Sequence, residues 1–338
     1  MLTVHTRGNI IFMDNIIHGA NPEKLYHAFN IPIPGKIIDF STNTNILSWP
    51  EIKIDVAYLA SHYPDNDCTR LRQTISQKEN IDPSRILFTN GINEAIFILS
   101  RLYGDDTAII QPCYSEYSRA FGNAKSIFGL EDAGRFRNVI ICNPNNPTGQ
   151  YIPELSSVIA ACPYTMFIID EAYIDFLMNC EPERLCDFTN VIILRSLTKI
   201  FHLSGARIGY VIADENVIAG MKECQPSWSV NAFAQELALH FLNDEAFYKA
   251  TRNFYRENTP VFMEGLRCSG FEVMNSDVHY FLVKVHDDME IIRYLLGKGI
   301  VVRHTRNFAG LNGNYVRVAT LLPEYNEKFI TELKQYAS

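Results

Sequence analysis

The most reactive residues in this sequence sit in one stretch, Ser196-Leu-Thr-Lys199-Ile-Phe-His-Leu-Ser-Gly-Ala-Arg207-Ile-Gly-Tyr210. A lysine amine can form an imine with a carbonyl, while a serine hydroxyl and a guanidinium can bind a phosphate. The plainer alternative is a solvated lysine and a surface arginine. Three further stretches weigh against it. Asp170-Glu171-Ala172-Tyr173 follows the apolar run Met166-Phe-Ile-Ile169. A carboxylate at the end of a buried strand is costly without a cationic partner, although an aspartate there can also serve as a helix N-cap. Asn143-Pro-Asn-Asn146-Pro-Thr-Gly149 is either an ordinary turn, given its residue types, or a rigid loop that aims Asn146 into a cleft. Thr89-Asn-Gly91-Ile92-Asn93-Glu94 follows another apolar run and opens a helical pattern. It is either a capped turn or a set of backbone N–H groups and a positive dipole end facing a phosphate.

One cofactor uses all four features. Pyridoxal phosphate needs a lysine for its imine, an acid against its pyridinium nitrogen and anion donors for its phosphate.

The elements that must position these residues are short apolar runs: Arg85–Thr89, Thr107–Ile110, Val139–Cys142, Met166–Ile169, Val191–Leu194 and Gly209–Ala213. They are β-branched and do not alternate, as in strands buried on both faces. Helical stretches lie between them, for example Glu94–Tyr103 and Pro153–Ala161, which is the pattern of an α/β sheet covered by helices. Ligands of such sheets bind at the carboxyl ends of the strands, where all four features fall. After Asp214 the texture changes. Residues 231–266 read as one or two long helices. Strands are then expected at Phe271–Met274, Tyr280–Val285, Ile300–Arg303 and Tyr315–Ala319, with helices at Asp288–Lys298 and Glu324–Tyr336.

Composition sets limits on function. The chain has 338 residues, 47% of them apolar and 20% charged, with a formal net charge of −8. Such a chain is neither disordered nor fibrous, and an acidic chain without a basic run is poorly suited to grip nucleic acid. The eight cysteines contain no C-x-x-C pair; they read as reduced, mostly buried thiols, and no metal site is expected. No apolar run reaches the ~18 residues of a membrane span. The N-terminal apolar patch is broken by Asp14 and lacks a small-residue cleavage site, so a cytoplasmic protein is expected.

On these motifs the chain resembles the aspartate-aminotransferase-like superfamily of pyridoxal-phosphate enzymes over nearly its whole length. Within it, histidinol-phosphate aminotransferases share the Asn-Asn-Pro-Thr-Gly, Asp-Glu-Ala-Tyr and Lys-to-Arg motifs. Threonine-phosphate decarboxylases share these and more. Their His-Gly-Gly-Asn and Asp-Phe-Ser-Ala-Asn-Ile-Asn-Pro segments are matched by His18-Gly19-Ala20-Asn21 and Asp39-Phe-Ser-Thr-Asn43-Thr-Asn-Ile46. Their Tyr-Pro-Asp and Phe-Ala-Glu-Tyr blocks are matched by Tyr63-Pro64-Asp65 and Tyr114-Ser115-Glu116-Tyr117, and Arg303, Asn307-Phe308 and Tyr315–Ala319 follow their pattern too. Ala20 for Gly, Ile46 for Pro and Ser48 for Gly are departures.

The resemblance implies a large three-layer α/β/α domain (46–255) and a small α+β domain (256–338), with an N-terminal arm (1–45) packing against the small domain and active site. It implies that Lys199 forms the imine and that Asp170 pairs with the pyridinium nitrogen. Asn146 and Tyr173 would bond the ring oxygen, and Tyr114 would stack on the ring. Gly91, Ile92, Asn93, Ser196, Thr198 and Arg207 would hold the cofactor phosphate. Tyr63 would reach the same phosphate from a neighbouring subunit, making a homodimer. Arg317 would bind the substrate carboxylate. Arg303, His18, Gly19 and Asn43, with Asn146, would contact the rest of a small phosphorylated amino acid. The expected reaction is decarboxylation of L-threonine O-3-phosphate. The alternatives are a phospho-amino-acid or histidinol-phosphate aminotransferase and a non-catalytic cofactor-binding regulator. The regulator is disfavoured by the retained Lys199 and Arg317 and by the lack of a basic DNA-binding segment.

Overall fold

The computed structural model describes residues 19–337. In chain order the strands are β1 (Ile38–Asp39), β2 (Ile86–Thr89), β3 (Thr107–Ile110), β4 (Lys125–Ile127), β5 (Asn138–Cys142) and β6 (Met166–Asp170). They continue with β7 (Val191–Ser196), β8 (Gly209–Ile212), β9 (Tyr280–Lys284), β10 (Ile300–Val301), β11 (Arg303–His304) and β12 (Tyr315–Ala319). The chain divides into two compact units. The larger comprises Thr44–Asn146 and Gln150–Phe254. The smaller comprises the described residues up to Asn43, the tripeptide Pro147–Gly149, and the chain from Tyr255 onward.

The larger unit is built on a seven-stranded sheet of order β2-β8-β7-β6-β5-β3-β4. β8 runs antiparallel to both its neighbours, and the remaining pairs are parallel. Ile140, Ile168 and Ile192 are fully buried, as strands covered on both faces require. Because β8 is reversed, its amino end, Gly209, lies beside Ser196 at the carboxyl end of β7 and beside Thr89 at the carboxyl end of β2. Arg207, entering β8, therefore arrives at the same sheet edge as the loops leaving β2, β5, β6 and β7. Gly209 is needed there, since a Cβ would stand 2.7 Å from the Arg195 carbonyl oxygen and 2.9 Å from Ile92. Arg195 itself is paired with the buried Glu171 carboxylate. The pair clamps together the ends of β6 and β7, the strands that carry Asp170 and Ser196.

In the smaller unit β9, β12 and β11 form an antiparallel sheet of order β11-β12-β9, and β1 pairs in parallel with β10. Phe40 lies on Phe329 and Phe262, with ring centroids 4.8 and 6.0 Å apart. It also accepts a hydrogen bond from Ala319 N–H at 3.0 Å, which fixes the segment after β1 to the end of β12. Among the described residues no helix is long and apolar enough to cross a membrane.

Three details differ from the sequence reading. Phe271–Met274 is not a strand; it contributes only the bridge Val273–Val283. Ile300–Arg303 splits into β10 and β11, which belong to different sheets, because β10 is held by β1 while β11 turns to pair with β12. β4 is an additional edge strand; its polar, largely exposed Lys125-Ser-Ile127 carries no buried-strand pattern. The stretch 231–266 is two helices, Ala232–Leu242 and Glu245–Arg267, parted at Asn243 and Asp244.

Candidate active site

At the carboxyl ends of these strands the larger unit encloses a cavity of about 540 Å³, open mouth included. Its lining contains Gly91, Ile92, Asn93, Tyr114, Asn146, Asp170, Tyr173, Ser196, Thr198, Lys199 and Arg207, together with Ala172. Eleven residues singled out from five separate stretches of sequence thus line one cavity.

Part of the cavity lining has the chemistry to hold an anion. The helix Gly91–Leu102 starts there, so its first N–H groups are unsatisfied within the helix. Gly91 has φ +68°, and a Cβ at this position would lie 2.8 Å from Arg207 Nη2. Glycine is therefore what lets the guanidinium close over the helix start. Arg207 itself has φ +61°, a left-handed conformation that costs a branched or long side chain energy and clusters at functional positions. Ser196 Oγ and Thr198 Oγ1 lie 2.8 Å from each other and add two hydroxyls to the same lining.

The deeper wall carries Asp170, the last residue of β6 and 5% exposed. Its Oδ1 accepts the Ala172 N–H at 2.9 Å, and its Oδ2 accepts the Tyr117 hydroxyl at 2.8 Å and the Cys142 thiol at 3.8 Å. Burial pushes the Asp170 carboxyl up. Those three donors and the positive charge of Lys199 pull it back. Lys199 stands in the short helix Leu197–Ile200, with Nζ 6.0 Å from the centre of the Tyr173 ring. Its carbonyl accepts the Asn45 N–H at 3.0 Å, and the Asn45 amide bonds the Ile200 carbonyl at 3.0 Å and Thr251 at 2.8 Å. The segment bearing the lysine is thereby tied down from outside the cavity. Burial drives the Tyr114 phenol up to about 12, so the group stays neutral. Tyr63 does not line this cavity; it is 82% exposed and packs on Trp228 with ring centroids 4.8 Å apart.

The remaining sequence candidates belong to the smaller unit, apart from His18, which lies outside the described residues. Arg303 and Arg317 are directly opposite one another on the β11–β12 ladder, and both are buried. Arg303 Nη2 donates to Asn307 Oδ1 at 2.8 Å, and its guanidinium lies over Phe308. Arg317 Nη2 donates to the Ser41 carbonyl at 2.8 Å and its guanidinium lies over Tyr280. The Asp39–Asn43 segment is folded by Asp39, which accepts the N–H and hydroxyl of Ser41 and the hydroxyl of Thr42. Asn43 ends it with a buried amide whose Nδ2 and Oδ1 find no partner among the described residues. Gly19 approaches so closely that a Cβ would lie 2.6 Å from the Ser41 carbonyl oxygen. Ala20 beside it has φ +63°, a left-handed conformation that glycine adopts without strain.

Sequence reasoning assigned no role to Tyr117 and Cys142, although both bond Asp170. Cys142 is the last residue of β5 and the register partner of Asp170 on β6, so strand alignment alone could have found it. Tyr117 sits three residues after Tyr114 in the helix Ser115–Ala120.

The donor set fits pyridoxal phosphate: a single lysine amine and a buried carboxylate in the cavity lining, with an arginine-capped helix start whose space a Cβ would fill. Residues 130–333 match the family described as aminotransferase class I and II. The chain is 31% identical to the threonine-phosphate decarboxylase of Salmonella typhimurium over 95% of its own length and 96% of that protein. The crystal structure of L-threonine-O-3-phosphate decarboxylase from Porphyromonas gingivalis aligns with a TM-score of 0.78 at 26% identity, covering 89% of this chain and 99% of that one. Histidinol-phosphate aminotransferase from Clostridium acetobutylicum aligns over the same shares with a TM-score of 0.81, also at 26% identity. The fold and the site define a pyridoxal-phosphate enzyme. The chain belongs to the class I and II aminotransferase family, and its relatives include both threonine-phosphate decarboxylases and histidinol-phosphate aminotransferases.

Proposed function

We propose that the protein decarboxylates L-threonine O-3-phosphate to 1-amino-2-propanol O-2-phosphate. The observation that carries this reading is the cross-strand pair Arg303–Arg317. Residues directly opposite on an antiparallel ladder point to the same face with Cβ atoms ~5 Å apart, and like charges so placed repel. Two buried arginines paired across the ladder make sense as receptors for two anions on one small ligand, a carboxylate and a phosphate. Arg317 takes the carboxylate and Arg303 the phosphate. The buried amide of Asn43 and the backbone of Gly19 complete the receptor, with His18 a further phosphate donor.

In the larger unit Lys199 Nζ would link the cofactor, and the Asp170 carboxylate would accept a hydrogen bond from the cofactor's ring N–H and keep that nitrogen protonated. Asn146 and Tyr173 hydrogen-bond its ring oxygen, and Tyr114 covers its face. Its phosphate is held by Ser196, Thr198, Arg207 and the N–H groups of Gly91, Ile92 and Asn93. When bound, pyridoxal phosphate supplies a sink for the electron pair left as a bond to the substrate α-carbon breaks. The protein then decides which bond breaks, because only the bond held perpendicular to the conjugated plane is weakened. Holding both anions of the substrate fixes its rotation, and that rotation selects the bond to the carboxylate as the one that breaks. Lys199 Nζ then returns a proton to the α-carbon once carbon dioxide has left. Asp170 serves decarboxylation and transamination alike, so it does not select between them. The N-terminal His-Gly-x-Asn and Asp-Phe-Ser-x-Asn segments, shared with the decarboxylases, do.

The proposal includes a homodimer in which Tyr63 serves the neighbouring subunit. Its high exposure, and that of Tyr58 and Trp228 near it, supports this, since exposed aromatic groups of this kind mark interaction sites. The substrate assignment is tested by turnover of the holoenzyme on phosphothreonine, threonine and histidinol phosphate. Phosphothreonine should be preferred over threonine by about ten- to a hundredfold in kcat/KM, the worth of one charge-assisted contact. Equal rates on threonine, or faster consumption of histidinol phosphate, would overturn it.

A further inference from the structure

We propose that Tyr117 is a positioning residue that sets the orientation and charge of Asp170. This rests on the reading that Asp170 faces the cofactor's ring nitrogen. Tyr117 is completely buried, and its hydroxyl donates to Asp170 Oδ2 at 2.8 Å. The phenol is itself pushed well above its ordinary range by burial and by the Asp170 charge, so it remains a donor at every pH the protein meets. Tyr114 and Tyr117 stand edge to face, with centroids 6.3 Å apart. The helix Ser115–Ala120 thus follows one tyrosine that lines the cavity with another that braces the cavity's carboxylate from behind.

The other groups around Asp170 cannot substitute for that hydroxyl. The Ala172 N–H occupies Oδ1. The Cys142 thiol reaches Oδ2 only at 3.8 Å and lies 3.3 Å from the Cys113 sulfur, so it is a weak and shared donor. A hydrogen bond donated to a carboxylate favours its charged form, whereas burial opposes it. Without the phenol, burial acts with less opposition. The carboxyl then gains a proton at higher pH and can rotate about its last bond.

The test is a titration of cofactor-depleted protein with pyridoxal phosphate, read by protein fluorescence across a range of pH. Tyr117→Phe is expected to weaken binding by about tenfold at neutral pH, the worth of one hydrogen bond to a charged group. The deficit should widen as pH falls, because Asp170 in the variant is protonated earlier. Placing 3-fluorotyrosine at position 117 keeps the fold and strengthens the donor, so the fall in affinity should move to lower pH. Cofactor affinity and pH profile unchanged in both variants, with Asp170→Asn binding weakly, would make Tyr117 a packing residue and overturn the proposal alone. Should Asp170→Asn bind like the parent, the assignment of Asp170 fails and the proposal fails with it.

Discussion

The cofactor pocket and the arginine ladder are built on opposite principles. The pocket hangs on strands that are apolar along their whole length, such as Val139–Cys142 and Met166–Ile169. The sheet supplies stability, and the chemistry is confined to the last residue of a strand or the few residues just past it. The ladder places its chemistry inside the strands. Arg303 and Arg317 occupy paired positions in β11 and β12, where burial and like-charge repulsion both work against folding. A cofactor is always the same molecule, so its site can be rigid and set into loops anchored by the core. A substrate site must discriminate among ligands, and in the proposed reading the ladder accepts a local cost in stability to keep two cations on paired positions.

The largest effect that sharpens this contrast is on Lys199. Lys199→Ala should lower kcat by about 10²–10⁴-fold or more, the scale of a lost acid–base group, while the anion cradle around Gly91 and Arg207 still retains cofactor. A single-turnover assay with a spectrum of the bound cofactor checks both parts. Borohydride reduction of the parent should fix the cofactor on Lys199; an adduct on another lysine would break the assignment.

Next come the arginines. Arg303→Ala and Arg317→Ala should each lower kcat/KM on phosphothreonine by about ten- to a hundredfold and leave cofactor affinity unchanged. Arg303→Ala should spare threonine, and Arg317→Ala should harm both substrates. A loss of cofactor affinity equal to the loss in kcat/KM would show that the two sites are not separable as described.

The smallest effect concerns Ala20. Its φ of +63° makes Ala20→Gly a stabilising change of about 1 kcal/mol, seen as a modest rise in melting temperature of the cofactor-free protein. An unchanged or lower value would mean that strain there is relieved elsewhere.

The same contrast explains what the sequence allowed a reader to see. The pocket was legible because buried parallel strands advertise themselves as unbroken β-branched runs and because turn residues mark where each one ends. Lys199, Asp170, Asn146 and Gly91 all follow such runs. The ladder was not legible from pattern. In Tyr315-Val-Arg-Val-Ala, Arg317 has the ordinary spacing of a solvent-facing residue in a half-buried strand, and nothing in the spacing tells that it is buried opposite Arg303; only the family resemblance singled it out. The split between β10 and β11 was hidden for a related reason, since Ile300-Val-Val-Arg303 is apolar throughout its first three residues and gives no sign of changing sheets. Tyr117 and Cys142 escaped notice because they act through Asp170, and register across strands is a property of the fold.

The central claim is that this receptor turns the substrate for loss of its carboxylate, and the stoichiometry of carbon dioxide release tests it most directly. Holoenzyme is incubated with phosphothreonine alone, with no 2-oxo acid present, and carbon dioxide is counted against substrate consumed. The account predicts one carbon dioxide per phosphothreonine over many turnovers, with 1-amino-2-propanol phosphate as product. Turnover that stops after a single equivalent per active site, resumes only when 2-oxoglutarate is added and releases no carbon dioxide would contradict it.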